Sequence, residues 1–235
     1  MKRSIIVTDL TRFNKPDIVC IAGTDRRNGE CIRPMPYLKT ATCQDLNILP
    51  GAILTGEFTP SPNRAGPHQE DFLYDRLTFE GASTSADFRT ALESGLVESV
   101  EDGFEIKFHD QQKHVPDGHP VARSIVTISA SPTDVEIIDD SFKPGKLKLN
   151  FSDQAGCRFR YIAITDLGFH NYALQHRAPC DLEAINDFIR SQDEVFLRLG
   201  LSRSYEAPDG RRGYWLQANG VYTFPDYHRG IRSHS

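Results

Sequence analysis

The sequence lacks the features of a membrane or secreted protein. It has no run of 18 or more apolar residues that would span a bilayer. The apolar segment after Lys2 and Arg3 is much shorter than the core of a signal peptide. Its five cysteines form no C-x-x-C pair, so neither a zinc ribbon nor a disulfide framework is indicated. We therefore expect a cytoplasmic protein with reduced thiols, no membrane contact and no metal site.

The signatures of common enzyme classes are also missing. The chain contains no G-x-x-x-x-G-K-S/T, G-x-G-x-x-G or G-x-S-x-G motif. His109, His114 and His119 recur every five residues, which puts them on neither one helix face nor one strand face, so we interpret them as exposed loop histidines. Asp9 and Asp166 each follow a strand, where aspartate commonly starts a turn, and we interpret both as turn formers. A non-enzymatic protein without a cofactor is expected.

Charge is distributed unevenly along the chain. The formal net charge is −5, which argues against a protein that coats nucleic acid by electrostatics alone. Residues 1–40 carry a net +4 and residues 200–235 a net +2, whereas residues 41–199 carry −11. If the two ends meet in the fold, they form a positive face on an acidic body; otherwise they are scattered solvated charges.

Short apolar segments bounded by turn residues predict a mainly β protein of the β-barrel, α+β type with two short helices. The predicted strands cover residues 4–10, 17–23, 29–33, 52–58, 71–79, 121–130, 135–139, 146–151 and 158–165. A turn at Pro144 and Gly145 precedes the strand that starts at 146. A closing hairpin is predicted from strands 213–217 and 221–224 around Asn219 and Gly220. The helices are predicted at 84–94 and, with Asp181 as N-cap, at 181–199.

Two local similarities within the chain indicate an internal duplication. Residues 4–10 (SIIVTDL) match 161–167 (YIAITDL), and 28–34 (NGECIRP) match 219–225 (NGVYTFP). Periodicity is weakest in residues 108–120, so a boundary is placed there. The predicted organisation is a first lobe at 1–110, a linker at 111–120 and a second lobe at 121–235 that contains helix 181–199.

Aromatic and basic residues occur together around the predicted hairpins. Bases stack on aromatic side chains while guanidinium groups contact phosphates, so this combination is typical of single-stranded nucleic-acid binding. Some of these aromatics are expected to fill barrel cores instead. The predicted binding residues are Arg12, Arg26, Arg27, Arg33, Arg203, Arg211, Arg212, Trp215, Tyr222 and Arg229.

The assembled segments resemble the bacterial dual OB-domain family, whose members carry two successive oligonucleotide/oligosaccharide-binding barrels. The resembling segments are IIVTDLTRF (5–13), VCIAG (19–23), NGECIRPMPYL (28–38), LPGAIL (49–54), YIAITDL (161–167) and ANGVYTFPDY (218–227). The resemblance implies two OB-like Greek-key barrels and recognition of nucleic acid, often in bacterial genome-defence systems. It carries over no catalytic residue, and a barrel fold does not fix a ligand.

The sequence leaves three hypotheses for the function of the protein. The leading hypothesis is a non-enzymatic module that binds single-stranded or structured DNA or RNA. The first alternative is an interaction subunit that docks onto a partner nuclease or ATPase through its acidic body. The second alternative is a metal-dependent hydrolase with carboxylates at Asp9 or Asp166.

Overall fold

The first part of the chain closes into a five-stranded barrel. The computed structural model describes residues 2–109, 112–143, 146–176 and 178–234. The elements of the first barrel are β1 (Lys2–Arg12), β2 (Ile18–Asp25), β3 (Cys31–Met35), β4 (Leu38–Lys39), α1 (Thr40–Asp45), β5 (Ala52–Pro60) and β6 (Asp71–Ala82). Hydrogen-bonded neighbours follow the ring β1–β2–β3–β6–β5–β1, in which only β3 and β6 run parallel. This order is that of an OB-like Greek-key barrel.

The rest of the chain repeats the same strand order. Its elements are α2 (Ser85–Glu93), β7 (Leu96–Val97), α3 (Val100–Phe104), β8 (His114–Pro116), β9 (Ile125–Ala130), β10 (Val135–Asp139), β11 (Leu147–Ser152), β12 (Arg158–Ile164), α4 (Leu167–Gln175), α5 (Pro179–Arg190), β13 (Glu194–Leu201), β14 (Tyr205–Glu206) and β15 (Arg212–Phe224). A 3-10 turn separates β9 from β10, which together serve as the first strand. β10 pairs with β11, β11 with β12, β12 with β15 in parallel, β15 with β13, and β13 with β9. The protein therefore contains two OB-like barrels.

Each barrel encloses its own apolar core. Inward side chains such as Ile5, Leu54 and Phe58 fill the first. The second is larger and also takes in side chains from α3 and α5, among them Phe104 and Ile185. None of the described helices is long and apolar enough to cross a membrane.

The described residues form five α-helices where two were predicted. The predicted helix at 84–94 corresponds to α2, whose N-cap Thr84 accepts a hydrogen bond from the Asp87 N–H. The helix predicted at 181–199 is wrong beyond residue 190, because α5 ends there and 194–201 form β13. Seven of the eight residues of β13 are buried. A strand covered on both faces has no two-residue alternation, so its apolar run also fitted helical spacing.

The closing hairpin predicted at Asn219 and Gly220 is also wrong. Both residues lie inside the single strand β15. In the pairing with β13, Arg198 faces Gly220 and Leu199 faces Ala218, so Asn219 is the extra residue of a β-bulge. Asn-Gly between two apolar segments is a strong signal for a two-residue hairpin turn, which explains the wrong prediction.

Part of the segment predicted as a linker is a strand. β8 lies at 114–116 and pairs with β15, and upstream of it β7 pairs with β9. Residues 110 and 111, and the turn predicted at 144 and 145, lie outside the described part of the chain.

The two sequence matches that indicated duplication are not structurally equivalent. Residues 4–10 lie on β1, the first strand of the first barrel, whereas 161–167 cover the end of β12, which is the third strand of the second. Likewise, residues 28–34 lead into β3, the third strand of the first barrel, whereas residues 219–225 cover the end of β15, the fifth strand of the second. The two barrels share a topology, but these segments do not align within it.

Candidate functional site

A buried polar network joins the two barrels. Asp9 on β1 and Arg198 on β13 form an ion pair in which Arg198 Nε and Nη2 donate to Asp9 Oδ2 at 3.0 and 2.7 Å. Asn219 in the β15 bulge donates to Asp9 Oδ1 at 3.1 Å. Within the second barrel, the Thr127 hydroxyl accepts from Arg198 Nη1 at 2.9 Å. Asp9 is therefore a structural counter-ion and not the turn former predicted from the sequence.

Asp166 has a structural role of a different kind. It is the N-cap of α4 and accepts hydrogen bonds from the backbone N–H groups of Gly168 and Phe169 at 2.7 and 3.2 Å. Burial raises the pKa of its carboxyl to about 6, against the opposing charge of Arg232 and these two hydrogen bonds. Among the described residues, no group of three or more His, Cys, Asp and Glu side chains is arranged to hold a metal ion. The carboxylates proposed for a hydrolase thus serve packing and capping.

A second network borders the solvent. Arg33 on β3 donates to Asp71 Oδ1 at 2.6 Å, and Arg203, which follows β13, donates to both oxygens of Asp71 at 2.8 and 3.0 Å. Glu70 reaches across to the second barrel and accepts from the N–H and the hydroxyl of Ser124 at 2.7 and 2.8 Å. Two guanidinium groups and two carboxylates are thereby neutralised together.

The protonation states of this network follow from burial and charge. Burial acts to raise the pKa of Asp71, but the hydrogen bonds and charges of Arg203 and Arg33 outweigh it and hold that pKa below its usual value. Burial, together with the positive charges of Arg203 and Arg33, lowers the pKa of His68 to about 3. His68 is therefore neutral at physiological pH, and its Nδ1 accepts from Arg33 Nη2 at 3.1 Å.

A cleft of about 390 Å³ opens beside this network, between the barrels. The first barrel contributes the face of β2 and β3 together with the loops 13–17 and 61–70. The second barrel contributes the segment that follows β13 and part of β15. The side chains that line the cleft include Arg12, Phe13, Tyr37, Arg203, Tyr205 and Gln217.

Arg12 is the guanidinium in this cleft without a counter-charge. It ends β1 and is half-buried. No carboxylate among the described residues pairs with its side chain, whereas Arg33 and Arg203 share Asp71. Burial lowers the pKa of Arg12, although the group stays charged at neutral pH. An anionic ligand in the cleft would relieve this unpaired charge.

Partly exposed aromatic rings flank the cleft on both sides. The rings of Phe13 and Tyr37 lie 4.6 Å apart on the first barrel. Tyr205 is 47 % exposed and stacks at 5.6 Å on Trp215, and the Arg211 guanidinium lies 4.8 Å from the centre of the Trp215 ring. The Tyr37 hydroxyl accepts from Arg203 Nε at 2.9 Å, which fixes the ring beside the cation. The cleft therefore combines cations with ring faces.

The structure brings together some of the sequence-predicted binding residues and separates others. The residues in or beside the cleft are Arg12, Arg33, Arg203, Arg211 and Trp215. Arg212 is exposed nearby and pairs with Asp117 at 3.0 Å. Arg26 and Arg27 lie on the exposed turn between β2 and β3, and Arg229 is exposed near the C-terminus. Arg12 and Arg33 from the N-terminal basic region and Arg203 from the C-terminal one thus line the same cleft.

Two predicted assignments need correction. Tyr222 is fully buried and donates to the Thr8 carbonyl at 2.6 Å, so it packs the barrels together and offers no surface to a ligand. His114, predicted as an exposed loop residue, is 8 % exposed and packs on Trp215 with a ring separation of 4.9 Å. The alternation along β15 indicated that half of its aromatics point inward, but not which half.

Sequence reasoning missed three residues of the site. Tyr37, His68 and Tyr205 come from separate loops and short strands that only the fold brings to one cleft. Their segments carry Pro, Gly or Ser and show no periodicity. The weak signal available was the position of His68 in a Pro- and Gly-rich loop, where binding residues are common.

Comparisons with known proteins give a fold likeness only. No protein-family model matches the chain, and no curated protein matches it in sequence. A murine DNA-binding protein bound with double-stranded DNA superposes with a TM-score of 0.35 and 7 % identity, covering 95 % of this chain and 97 % of that one. The Ifi202 HINa domain in complex with 20-bp double-stranded DNA gives 0.37 and 9 %, with 95 % and 94 % covered. These scores assign no function.

Proposed function

We propose that this protein binds single-stranded nucleic acid in the cleft between its two barrels. The observation that carries the proposal is the juxtaposition of the unpaired Arg12 guanidinium with the ring faces of Phe13, Tyr37 and Tyr205. The cleft lies on the face of β2 and β3 and between the loops that follow β1 and β5. OB barrels bind oligonucleotides and oligosaccharides on this face and these loops.

The chemistry of the cleft favours a single strand over a duplex. Bases reach recessed ring faces only when they are unstacked, and each stacked base contributes about 1–3 kcal/mol without demanding a particular sequence. Arg12 would contact a phosphate, and Arg203 would hold Tyr37 in place for stacking. A volume of about 390 Å³ lies within the range typical of ligand sites.

Charge limits the strength of binding. Arg33 and Arg203 are already offset by Asp71 and Glu70, so Arg12 supplies the excess positive charge of the cleft. The chain as a whole carries −5. For a single strand, the slope of log affinity against log salt is about −0.7 per neutralised phosphate. Since Arg12 would neutralise about one phosphate, we expect a shallow slope of about −0.7. The protein would then bind a short stretch of the strand and would not coat its length.

Fluorescence anisotropy with labelled single-stranded DNA and RNA at two salt concentrations tests the proposal. Arg12→Ala should weaken binding and reduce the salt slope by about 0.7. Arg26→Ala is the matched control, because Arg26 is an exposed arginine of the first barrel outside the cleft. This variant should bind the oligonucleotides with the affinity of the wild type. The proposal fails if neither nucleic acid binds at micromolar protein, or if the two variants behave alike.

The resemblance to the bacterial dual OB-domain family extends the proposal to genome-defence systems. In that setting the module would deliver nucleic acid to a partner enzyme. A gene neighbour that encodes a nuclease or ATPase, together with co-purification of its product, would support this extension.

A further inference from the structure

A β-bulge distorts the outer face of the second barrel. In the pairing of β11 with β12, Leu149 faces Ile162 and Phe151 faces Phe159, so Arg160 and Tyr161 together oppose Asn150. Tyr161 has a φ of +56°, which is rare for a bulky residue. Its backbone N–H donates to Asn150 Oδ1 at 2.9 Å, which holds this conformation. Bulges commonly re-aim side chains at binding surfaces.

The bulge places a cation and an aromatic ring side by side on the surface. Successive strand residues normally point to opposite faces, yet Arg160 and Tyr161 are both exposed. The Tyr161 side chain is 45 % exposed, and Lys113 Nζ lies 5.4 Å from its ring centre. The ring therefore has one cation, Lys113, beside it and is partly exposed to solvent.

Two arginines on this face have no ion pair among the residues that the structure describes. Arg158 and Arg160 line a concavity of about 490 Å³. Two carboxylates, Asp134 and Glu136, line it as well, and Asn150 Nδ2 donates to Glu136 at 2.9 Å. The third arginine of the concavity, Arg190, pairs with Asp187. Burial and the nearby charge of Lys148 lower the pKa of Lys113.

Ring contacts, one step along the chain and the sheet pairing connect this face with the cleft. Tyr205 in the cleft stacks on Trp215, and Trp215 packs on His114 at 4.9 Å. The residue next to His114 is Lys113, which reaches the Tyr161 ring. In the adjacent part of the sheet, Gln217 of the cleft pairs with Ala163 of β12. The path from the cleft to the bulge thus crosses only neighbouring strands.

We infer that the exposed face of β11 and β12 is a second contact surface for the same single-stranded nucleic acid. The strand leaves the cleft, passes Tyr205 and Trp215, stacks a base on Tyr161 and places phosphates at Arg158 and Arg160. This inference rests on the function proposed above. Because OB barrels cover about 4–16 nucleotides each, an oligonucleotide that occupies only the cleft would leave the second surface free.

Length-dependent binding tests the inference. Labelled oligothymidylates of about 4 and about 20 nucleotides are titrated by anisotropy against the wild type, Arg160→Gln and Tyr161→Asn. Asparagine tolerates a positive φ, so Tyr161→Asn removes the ring while respecting the backbone. Tyr161→Asn should lose roughly 5- to 150-fold in affinity for the long strand. Arg160→Gln should weaken binding of the long strand more at low salt than at high salt. Both variants should keep wild-type affinity for the short strand. Tyr227→Ala is the matched control, since Tyr227 is an exposed tyrosine that lies outside both surfaces.

The outcomes separate the two proposals. If the wild type binds neither oligonucleotide, the proposed function itself fails. If it binds both with equal affinity, or if Arg160→Gln and Tyr161→Asn bind the long strand as the wild type does, only the second surface is refuted. Circular dichroism and melting temperatures confirm that each variant is folded before it is scored.

Discussion

Replacing Asp9 by asparagine should destabilise the folded protein by roughly 3 to 5 kcal/mol. The Asp9 side chain is 1 % exposed and that of Arg198 is 3 % exposed, so water does not stabilise either charge. Asp9→Asn leaves the Arg198 guanidinium buried without a counter-charge, and Arg198→Met leaves the carboxylate in the same position. A loss of this size is a large share of the 5–15 kcal/mol that typically stabilises a domain.

Guanidinium chloride unfolding, followed by far-UV circular dichroism and by the fluorescence of Trp215, the only tryptophan, measures the effect. The double variant Asp9→Asn/Arg198→Met removes both charges, so its loss should fall at least about 2 kcal/mol short of the sum of the single losses. If the stability loss of the double variant equals the sum of the two single losses within about 0.5 kcal/mol, the buried ion pair is refuted. An unchanged stability of Asp9→Asn combined with a lost hydrolytic activity would instead revive the hydrolase hypothesis.

Three further predictions concern packing and protonation. Because the pKa of His68 is lowered to about 3, the folded state binds fewer protons than the unfolded chain between pH 3 and 6.5, so stability is lost as pH falls through this window. The loss is at most about 5 kcal/mol. Chemical unfolding at a series of pH values should show that the free energy of unfolding of His68→Asn depends less on pH than that of the wild type. Asparagine keeps a hydrogen-bond acceptor for Arg33. Thr84→Ala should cost about 1 kcal/mol in the same assay through loss of the α2 cap, whereas Thr90→Ala, an exposed position within that helix, should cost less. Tyr222→Phe should cost about 1–3 kcal/mol, because the buried Thr8 carbonyl loses its donor, and should leave the nucleic-acid affinity of the folded protein unchanged.

The sequence was most informative where a short apolar segment is bounded by turn residues. The strands of the first barrel follow from such segments, and α2 follows from its apolar side and its threonine cap. β13 was not separated from α5 because only residues 191–193 lie between them and the apolar residues of β13 continue the helical spacing. The bulge at Asn219 and the cap at Asp166 use the residue types of ordinary turns, so local chemistry alone does not distinguish them.

The candidate site was only partly accessible from the sequence. Pairing of arginines with aromatics pointed to Arg12, Arg33 and Arg203, which do meet at the cleft. Charge counting did not show that Asp71 and Glu70 offset Arg33 and Arg203 and that Arg12 has no such partner, because these ion pairs join residues far apart in the chain. Tyr37 and Tyr205 likewise reach the cleft only through the docking of one barrel on the other.

The central claim is that a single strand occupies the cleft between the barrels. Photo-crosslinking with an oligonucleotide that contains 5-iodouracil, followed by mass spectrometry of the joined peptides, tests it most directly. We predict crosslinks to the aromatic side chains of the cleft, Phe13, Tyr37 and Tyr205, and their loss on competition with unlabelled strand. Crosslinks confined to the exposed turn at Arg26 and Arg27, or to the segment around Arg229, would contradict the claim.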